Sequence, residues 1–195
     1  IRKPFSIMMQ QQATPHGWII LNKPVGLSSA KAVGIIRRFC GGAKIGHAGT
    51  LDPLACGVLP IAIGEATKTI SYVVTAEKSY RFTVKWGAET QTDDSEGEIT
   101  RTSDYCPSGD EIKAILPQFT GQIEQVPPVF SAVKVKGRRA YALARDKINP
   151  PGKLTDIVLN PREVMINKFE IIDYAGQHTT FTVQCGKGTY VRALA

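Results

Sequence analysis

A carboxylate inside a conformationally restricted loop is the feature of this sequence best suited to chemistry. Asp52 lies in the stretch GHAGTLDPLACGVLPIAIGEATK, which runs from Gly46 to Lys68. Pro53 disfavours the α region for the residue before it, so we expect Asp52 to be extended on a bend. The apolar run VLPIAIG behind it predicts a strand that anchors the bend in a core. A loop carboxylate on a rigid scaffold suits a nucleophile.

Glycines on both sides of this carboxylate permit positive φ or the close approach of another chain segment. They are Gly46, Gly49 and Gly57. For the Asp-Pro dipeptide alone, an ordinary turn is the favoured interpretation, because aspartates in turns and helix caps are common on protein surfaces. The chemical interpretation therefore depends on the whole stretch.

Patterns before the loop predict the elements that position it. GWIILN predicts a first strand, and apolar residues then recur at helical spacing as far as Cys40. Ser28 or Ser29 can cap that helix. One strand followed by one amphipathic helix is therefore expected ahead of Asp52.

After the loop, a strand is predicted in which alternate residues from Tyr80 to Trp86 point inward. Ser108 and Glu111 form a capping box for a further helix. Two alternating strands are then joined around Ala175 and Gly176. These elements predict an α+β class, with a mixed, mostly antiparallel sheet flanked by helices.

Length and composition agree with a soluble enzyme core without identifying one. With 195 residues, of which 43% are hydrophobic, we expect one domain at residues 17–195 after a flexible, glutamine-rich leader at 1–16. The formal charge of +7 favours a polyanionic partner. Neither a membrane-spanning run nor an export signal is recognised, so a cytoplasmic location is expected.

Several common site types are disfavoured by residue spacing. The four cysteines form no CxxC pair, so they are interpreted as reduced core residues rather than as a zinc or disulfide framework. The acidic run at 91–98 lacks the ligand spacing of a calcium loop and is interpreted as a solvated turn. The GKGT sequence from Gly186 lacks the spacing of a phosphate-binding loop. No metal site is therefore predicted.

A basic segment at about 123–160 is the best phosphate-contacting candidate in the chain. A solvent-exposed charged face is the usual alternative for such a run. Phe130 and Tyr141 lie among the charges and favour RNA. The cations predicted to bind RNA are Lys134, Lys136, Arg138, Arg139 and Arg145.

Four segments resemble the TruB family of tRNA pseudouridine synthases. Besides the Asp52 loop they are ILNKPVGLSS, EKSYRFTVKWG and KGTYVRALA, so the resemblance covers most of the chain. It implies the pseudouridine-synthase fold, with the basic segment as a thumb-like arm that closes over the T-loop of tRNA. It further implies a bacterial, stand-alone enzyme that isomerises the T-loop uridine to pseudouridine after base flipping.

Isomerisation breaks a C–N glycosidic bond and forms a C–C bond without net oxidation, so no cofactor is required. The aspartate can add to the uracil ring or assist cleavage between ribose and uracil, and the sequence leaves both routes open. Either route needs an ionised carboxylate. A neighbouring arginine lowers the pKa of a carboxyl group by roughly 1 to 3 units.

The resemblance implies roles for six residues. Asp52 and Arg192 are the expected catalytic pair, in which Arg192 is the counter-ion. Tyr80 is expected to stack on the target uracil, and Tyr190 to form a pocket wall. His47 is expected to fill the gap left by the flipped uridine, and Lys23 to line the site.

Two alternatives stay open. One is a guide-RNA-dependent relative of the H/ACA type, and the other is a non-catalytic RNA-binding protein of the same fold. The basic arm and the LACGVLPIAIGEATK run favour the stand-alone type, which implies a monomer with no obligatory protein partner. Because the chain stops at Ala195, directly after the arginine motif, a truncated catalytic domain is expected.

Overall fold

The computed structural model describes residues 14–148 and 157–195. The chain divides after Thr75 into two compact units. The first unit ends at Thr75, and the second unit is Ala76–Ala195. Each unit has a hydrophobic core of its own.

The first unit is built on a three-stranded antiparallel sheet with the order β1-β3-β2. The strands are β1 (Gly17–Lys23), β2 (Ile45–His47) and β3 (Gly57–Ile63). Its helices are α1 (Ser29–Phe39), a 3-10 helix at Gly64–Thr69, and α2 (Ile70–Thr75). The predicted strand and helix ahead of Asp52 are confirmed as β1 and α1, and the structure adds the short strand β2, which was not predicted, between α1 and Asp52.

Alternate residues of β3 and one stripe of α1 form the core of the first unit. Leu59 and Ile61 of β3 are almost fully buried and belong to one apolar cluster with Ala32 of α1. Ser28 caps α1 by accepting a hydrogen bond from the Lys31 N–H at 3.2 Å. This packing supports the chain on both sides of the Asp52 loop.

The start of the described chain contacts the first unit. The Glu65 N–H donates to Nδ1 of His16 at 3.1 Å, so His16 satisfies an amide at the beginning of the 3-10 helix. His16 was predicted to belong to the leader at 1–16. Residues 1–13 of that predicted leader lie outside the described residues.

The second unit contains a four-stranded antiparallel sheet with the order β4-β11-β10-β7. Its strands are β4 (Lys78–Lys85), β7 (Gly121–Gln125), β10 (Arg162–Ala175) and β11 (His178–Cys185). Two ribbons accompany it: β5 (Ala88–Thr90) with β6 (Ile99–Thr102), and β8 (Lys134–Val135) with β9 (Arg138–Arg139). The helices are α3 (Gly109–Ile115), a 3-10 helix at Leu116–Phe119, α4 (Ala140–Ile148) and a 3-10 turn at Val191–Ala193.

The predicted alternation of β4 is confirmed. Burial alternates along the strand, and the inward residues from Tyr80 to Trp86 pack against the core of the second unit. Phe82 stacks on Phe181 with ring centroids 5.4 Å apart. The capping box of Ser108 and Glu111 is also present and begins α3. Helices with antiparallel sheets confirm the predicted α+β class.

Two expectations from the sequence need correction. Cys185 is buried, but Cys56 and Cys106 are exposed and Cys40 is half-buried, so the cysteines are free but are not all core residues. The segment at about 123–160 also does not begin as an arm. Its first residues, Ile123 to Gln125, belong to β7 and pair with β10, and burial alternates along β7 as in the other strands of the sheet.

No helix within residues 14–148 and 157–195 combines the length and apolar character needed to span a membrane. Residues 149–156 of the basic segment lie outside the described part of the chain.

Candidate active site

Asp52 lies at a tight corner before β3. The Ala55 N–H donates to the Asp52 carbonyl at 3.0 Å, which closes a turn that includes Pro53. Gly49 and Gly57 flank the corner with φ values of +126° and +128°, which other residues adopt only with strain. The Asp52 residue is half-buried. The expected bend around Asp52 is therefore present.

Both neighbours of Asp52 are hydrogen-bonded to the segment that leads into α1. The Ser29 hydroxyl donates to the Leu51 carbonyl at 2.9 Å and accepts from the Leu51 N–H at 3.0 Å. On the other side, the Gly26 N–H donates to the Pro53 carbonyl at 2.8 Å. The backbone on each side of Asp52 is thus fixed.

Lys23 supports the same leading segment from inside. Its side chain is fully buried, and Nζ donates to the carbonyls of Pro24 at 2.9 Å and Leu27 at 2.6 Å. A buried ammonium is stable only when acceptors replace its water, and these carbonyls do so. The contacts favour a structural function, whereas substrate contact by Lys23 stays a prediction.

His47 ends β2 and is half-buried beside the same loop. Its Nδ1 donates to the Gly49 carbonyl, which fixes the tautomer with the proton on Nδ1. The Ala48 N–H donates to the Pro60 carbonyl at 2.9 Å, so the residues after His47 are tied to β3. The first unit therefore brings His47, Lys23 and Asp52 onto one connected network of loops.

Arg192 lies in the closing 3-10 turn of the second unit, with 13% of its side chain exposed. Nη1 donates to the Thr92 carbonyl at 2.8 Å, and Nη2 donates to the Phe130 carbonyl at 3.0 Å. Nε lies 3.8 Å from the carboxylate of Asp94. The guanidinium is thus held by two separate parts of the chain, the loop at 91–98 and the segment at Phe130, and its orientation is set.

The acidic loop at 91–98 is more than the solvated turn predicted from the sequence. Asp94 has a side chain only 18% exposed, and its Oδ1 accepts from Thr92 Oγ1 at 2.5 Å and from the Glu96 N–H at 3.0 Å. Partial burial raises the pKa of the adjacent Asp93, whereas the positive charge of Arg192 lowers it to a smaller extent. The segment is a turn as predicted, but its contact with Arg192 was missed, because local spacing cannot reveal an arginine that lies 98 positions after Asp94.

Gln125 is a second residue that sequence reasoning missed. Its side chain is buried, and its amide forms two hydrogen bonds with the backbone of Tyr190. Oε1 accepts from the Tyr190 N–H at 2.7 Å, and Nε2 donates to the Tyr190 carbonyl at 3.0 Å. A buried glutamine at the end of β7 therefore holds the turn that carries Arg192. The available signal was its position at the end of an alternating segment.

Tyr80 lies on the inward face of β4, half-buried against the core of the second unit. Burial raises the pKa of its phenol, so the hydroxyl remains protonated well above neutral pH. A protonated phenol keeps both its hydrogen-bond donor and its stacking face. Stacking on a uracil by Tyr80 stays a prediction.

The basic residues of the segment after β7 are exposed. Arg138 forms an ion pair with Asp146 of α4, and the Arg145 guanidinium lies 5.6 Å from the centre of the Tyr141 ring. Lys134 and Arg139 face each other across the β8-β9 ribbon, and Lys136 occupies its turn with a φ of +48°. The ribbon therefore presents cations that are close together.

The predicted site residues thus fall into two groups. The first unit holds Lys23, His47 and Asp52, and the second unit holds Tyr80, Tyr190 and Arg192. The pairing of Asp52 with Arg192 stays a prediction. Within residues 14–148 and 157–195 no three histidine, cysteine or acidic side chains cluster as metal ligands would.

Comparison with a family model decides the relationship. Residues 37–191 match the model described as TruB family pseudouridylate synthase (N terminal domain). The chain belongs to the TruB family. The match includes the Asp52 corner and the strands from β2 to β11, and it ends one residue before Arg192.

Among curated TruB relatives, two proteins named tRNA pseudouridine synthase B are similar to most of this chain. The one from Mesorhizobium japonicum is 54% identical over 92% of this chain and 53% of its own length. The one from Nitrobacter winogradskyi is 52% identical over 92% of this chain and 49% of its own length. The chain spans about half the length of the curated relatives it matches.

Solved structures confirm the predicted pseudouridine-synthase fold at lower identity. A chain from a structure titled as a Cbf5-Nop10-Gar1 complex is 28% identical with a TM-score of 0.63, covering 91% of this chain and 42% of its own. A chain from an H/ACA RNP bound to a substrate RNA containing 2'-deoxyuridine is 25% identical with a TM-score of 0.60, covering 91% and 40%. The structural likeness therefore extends over nearly all of this chain.

Proposed function

We propose that this chain carries the catalytic machinery of a tRNA pseudouridine synthase that isomerises the T-loop uridine. The observation that carries the proposal is the Asp52 corner, where a half-buried carboxylate projects from a turn whose two neighbouring residues are both hydrogen-bonded. Membership of the TruB family supports the reaction type. The names of the relatives support tRNA as the substrate.

The chemistry assigns Asp52 one requirement, which is to be ionised when the flipped uridine arrives. The carboxylate then either adds to the uracil ring or assists the cleavage of the glycosidic bond. Rigid placement matters in both routes, because a well-oriented group inside the site replaces a costly bimolecular encounter. Arg192 as the counter-ion, and Tyr80 and Tyr190 as contacts of the base, complete the proposed machinery.

RNA binding is proposed for the exposed cations of the β8-β9 ribbon and α4. Phosphate contacts supply much of the affinity of proteins for nucleic acids, and the single-stranded bases of an RNA loop can be splayed out and stacked. The T-stem-loop of tRNA fits both properties. A monomer without an obligatory protein partner and a cytoplasmic location complete this proposal.

A guide-RNA-dependent activity is the second candidate, because the similar solved structures come from H/ACA-type assemblies. Sequence identity favours the stand-alone candidate over the guide-RNA-dependent one. The tRNA pseudouridine synthase B of Mesorhizobium japonicum is 54% identical to this chain, whereas the Cbf5 complex chain is 28% identical. Turnover of a T-stem-loop without any added guide RNA would exclude the second candidate.

The decisive experiment measures tritium release from 5-tritiated uridine in a T-stem-loop RNA. We expect Asp52→Asn to reduce turnover at least about a hundredfold at unchanged RNA affinity, since the lost group performs covalent or proton-transfer catalysis. Asp110→Asn is the matched control, because the Asp110 side chain is 98% exposed on α3. Full turnover by Asp52→Asn would contradict the proposed function.

A further inference from the structure

We propose that Ser29 is a positioning residue that fixes the direction of the Asp52 carboxylate during the reaction. The proposal rests on the proposed function and extends it to a residue outside the predicted site. Ser29 is 3% exposed and is the first residue of α1. It acts through Leu51 and does not itself contact the substrate.

The hydroxyl of Ser29 uses its hydrogen-bonding capacity on one residue. It donates to the Leu51 carbonyl at 2.9 Å and accepts from the Leu51 N–H at 3.0 Å. A hydroxyl has one donor and two acceptor sites, so this pair of bonds fixes both polar groups of the Leu51 backbone with a single oxygen atom. Leu51 therefore cannot rotate its peptide groups without breaking at least one of the two bonds.

The opposite side of Asp52 is fixed by the same segment of chain. Pro53 has a restricted φ and no N–H, and its carbonyl accepts from the Gly26 N–H at 2.8 Å. The segment from Gly26 to Ser29 thus holds the residues before and after Asp52. A carboxylate between two fixed residues keeps the direction of its Cα–Cβ bond.

The neighbouring serine has a different function, which allows the two to be compared. Ser28 is the N-cap of α1, and its hydroxyl accepts from the Lys31 N–H at 3.2 Å. Ser28 therefore stabilises the helix, whereas the Ser29 hydroxyl leaves the helix and bonds to the Asp52 loop 22 positions away. Variants of these two adjacent serines can therefore distinguish an effect on the stability of α1 from an effect on the position of the Asp52 carboxylate.

The consequence for catalysis follows from geometry. Misplacement of a reacting group by about 1 Å can cost up to a hundredfold in rate. Loss of the Ser29 hydroxyl frees Leu51, whereas the exposed cations proposed to bind the RNA belong to the second unit. The effect should therefore appear in kcat and not in the affinity for RNA.

The test compares four variants of the full chain in tritium release from a 5-tritiated T-stem-loop RNA. We expect Ser29→Ala to lower kcat at least about tenfold with an unchanged dissociation constant for the RNA. Ser29→Cys keeps nearly the same size but has a weak donor and acceptor, so it should resemble Ser29→Ala. Ser29→Thr keeps the hydroxyl and should restore most of the rate. Ser28→Ala should lower the thermal midpoint while kcat remains that of the wild type.

Amide hydrogen exchange gives a second readout that does not depend on activity. In Ser29→Ala the Leu51 amide should exchange at least about tenfold faster, and in Ser28→Ala it should not change. A wild-type chain that releases no tritium would contradict the proposed function, and Leu51 exchange would then decide on this contact alone. Unchanged Leu51 exchange in Ser29→Ala, or equal kcat losses in Ser29→Ala and Ser28→Ala, would overturn the inference.

Discussion

Arg192 shows how an arginine can be oriented largely by backbone oxygens. The carbonyls of Thr92 and Phe130 accept from its two terminal nitrogens, and Asp94 approaches Nε at 3.8 Å. Neutral carbonyls fix the plane of the guanidinium without cancelling its charge. Asp94 adds an ion pair at Nε, which helps to hold the guanidinium in this orientation.

We therefore predict that Asp94→Asn lowers the rate of tritium release while the fold is kept. An asparagine oxygen can still accept from the Thr92 hydroxyl and the Glu96 N–H, but the ion pair that helps to orient the Arg192 guanidinium is lost. A change of about 1.4 kcal/mol in transition-state stabilisation corresponds to a tenfold lower rate, which is the effect expected here. Single-turnover kinetics would measure the rate of tritium release, and thermal unfolding would measure the stability of the fold.

Glu96→Gln is the control, because Glu96 is an exposed carboxylate in the same loop. It should leave both rate and thermal midpoint unchanged. If Asp94→Asn also turned over like the wild type, Asp94 would be only a structural element of the loop.

At the scale of elements, the basic side chains of the β8-β9 ribbon and of α4 differ in the groups that they contact. Arg138 is paired with Asp146, and Arg145 lies over Tyr141. Arg139 is exposed and faces Lys134 across the ribbon. Two adjacent like charges destabilise the free ribbon slightly, and a bound phosphate would relieve that repulsion.

We predict that Arg139→Ala weakens binding of the T-stem-loop and reduces the slope of log affinity against log salt by about one. Each phosphate contact that is lost removes the release of roughly one counterion, so the slope is a more specific readout than affinity alone. Lys113→Ala serves as the control, since it removes an exposed cation from α3. Equal slopes in the two variants would argue against the ribbon as an RNA contact.

Local rules predicted the elements well, and long-range contacts explain the failures. The alternation of β4 and the capping box of α3 depend on residues a few positions apart, so the sequence displays them directly. Asp94 and Gln125 acquire their functions from partners far along the chain. No spacing rule connects Gln125 with Tyr190, which is 65 positions later.

For the site, the Asp52 corner was predictable because glycine and proline restrict its backbone locally. Ser29 was noticed only as a possible helix cap, since a serine before an apolar periodic run is typical of that function. Its actual partner, Leu51, could be found only after α1 and the loop were placed in three dimensions. The roles of Tyr80, Tyr190 and Arg192 came from the family resemblance and stay predictions.

At the scale of the whole molecule, each of the two units has its own hydrophobic core, and each core contains a fully buried isoleucine that can be mutated for comparison. Ile61 in the first unit and Ile166 in the second unit are both fully buried. Replacement of either by alanine should cost about 2 to 5 kcal/mol, from lost burial and the remaining cavity. We predict that Ile61→Ala accelerates amide exchange mainly before Thr75, and Ile166→Ala mainly after it.

Native-state hydrogen exchange read by mass spectrometry of peptides would resolve the two patterns. Ile20→Ala is a suitable control, because Ile20 is 65% exposed on β1 and leaves no cavity. Uniform acceleration along the chain in both core variants would show that the two cores unfold as one cooperative body.

The reciprocal contact of Gln125 with Tyr190 also bears on the order of assembly. It closes a loop of 65 positions, whereas the Ser29 hydroxyl closes one of 22. The longer closure costs about 1 kcal/mol more in chain entropy. The Asp52 loop is therefore closed at the lower entropic cost, and we expect the turn that carries Arg192 to form later in folding.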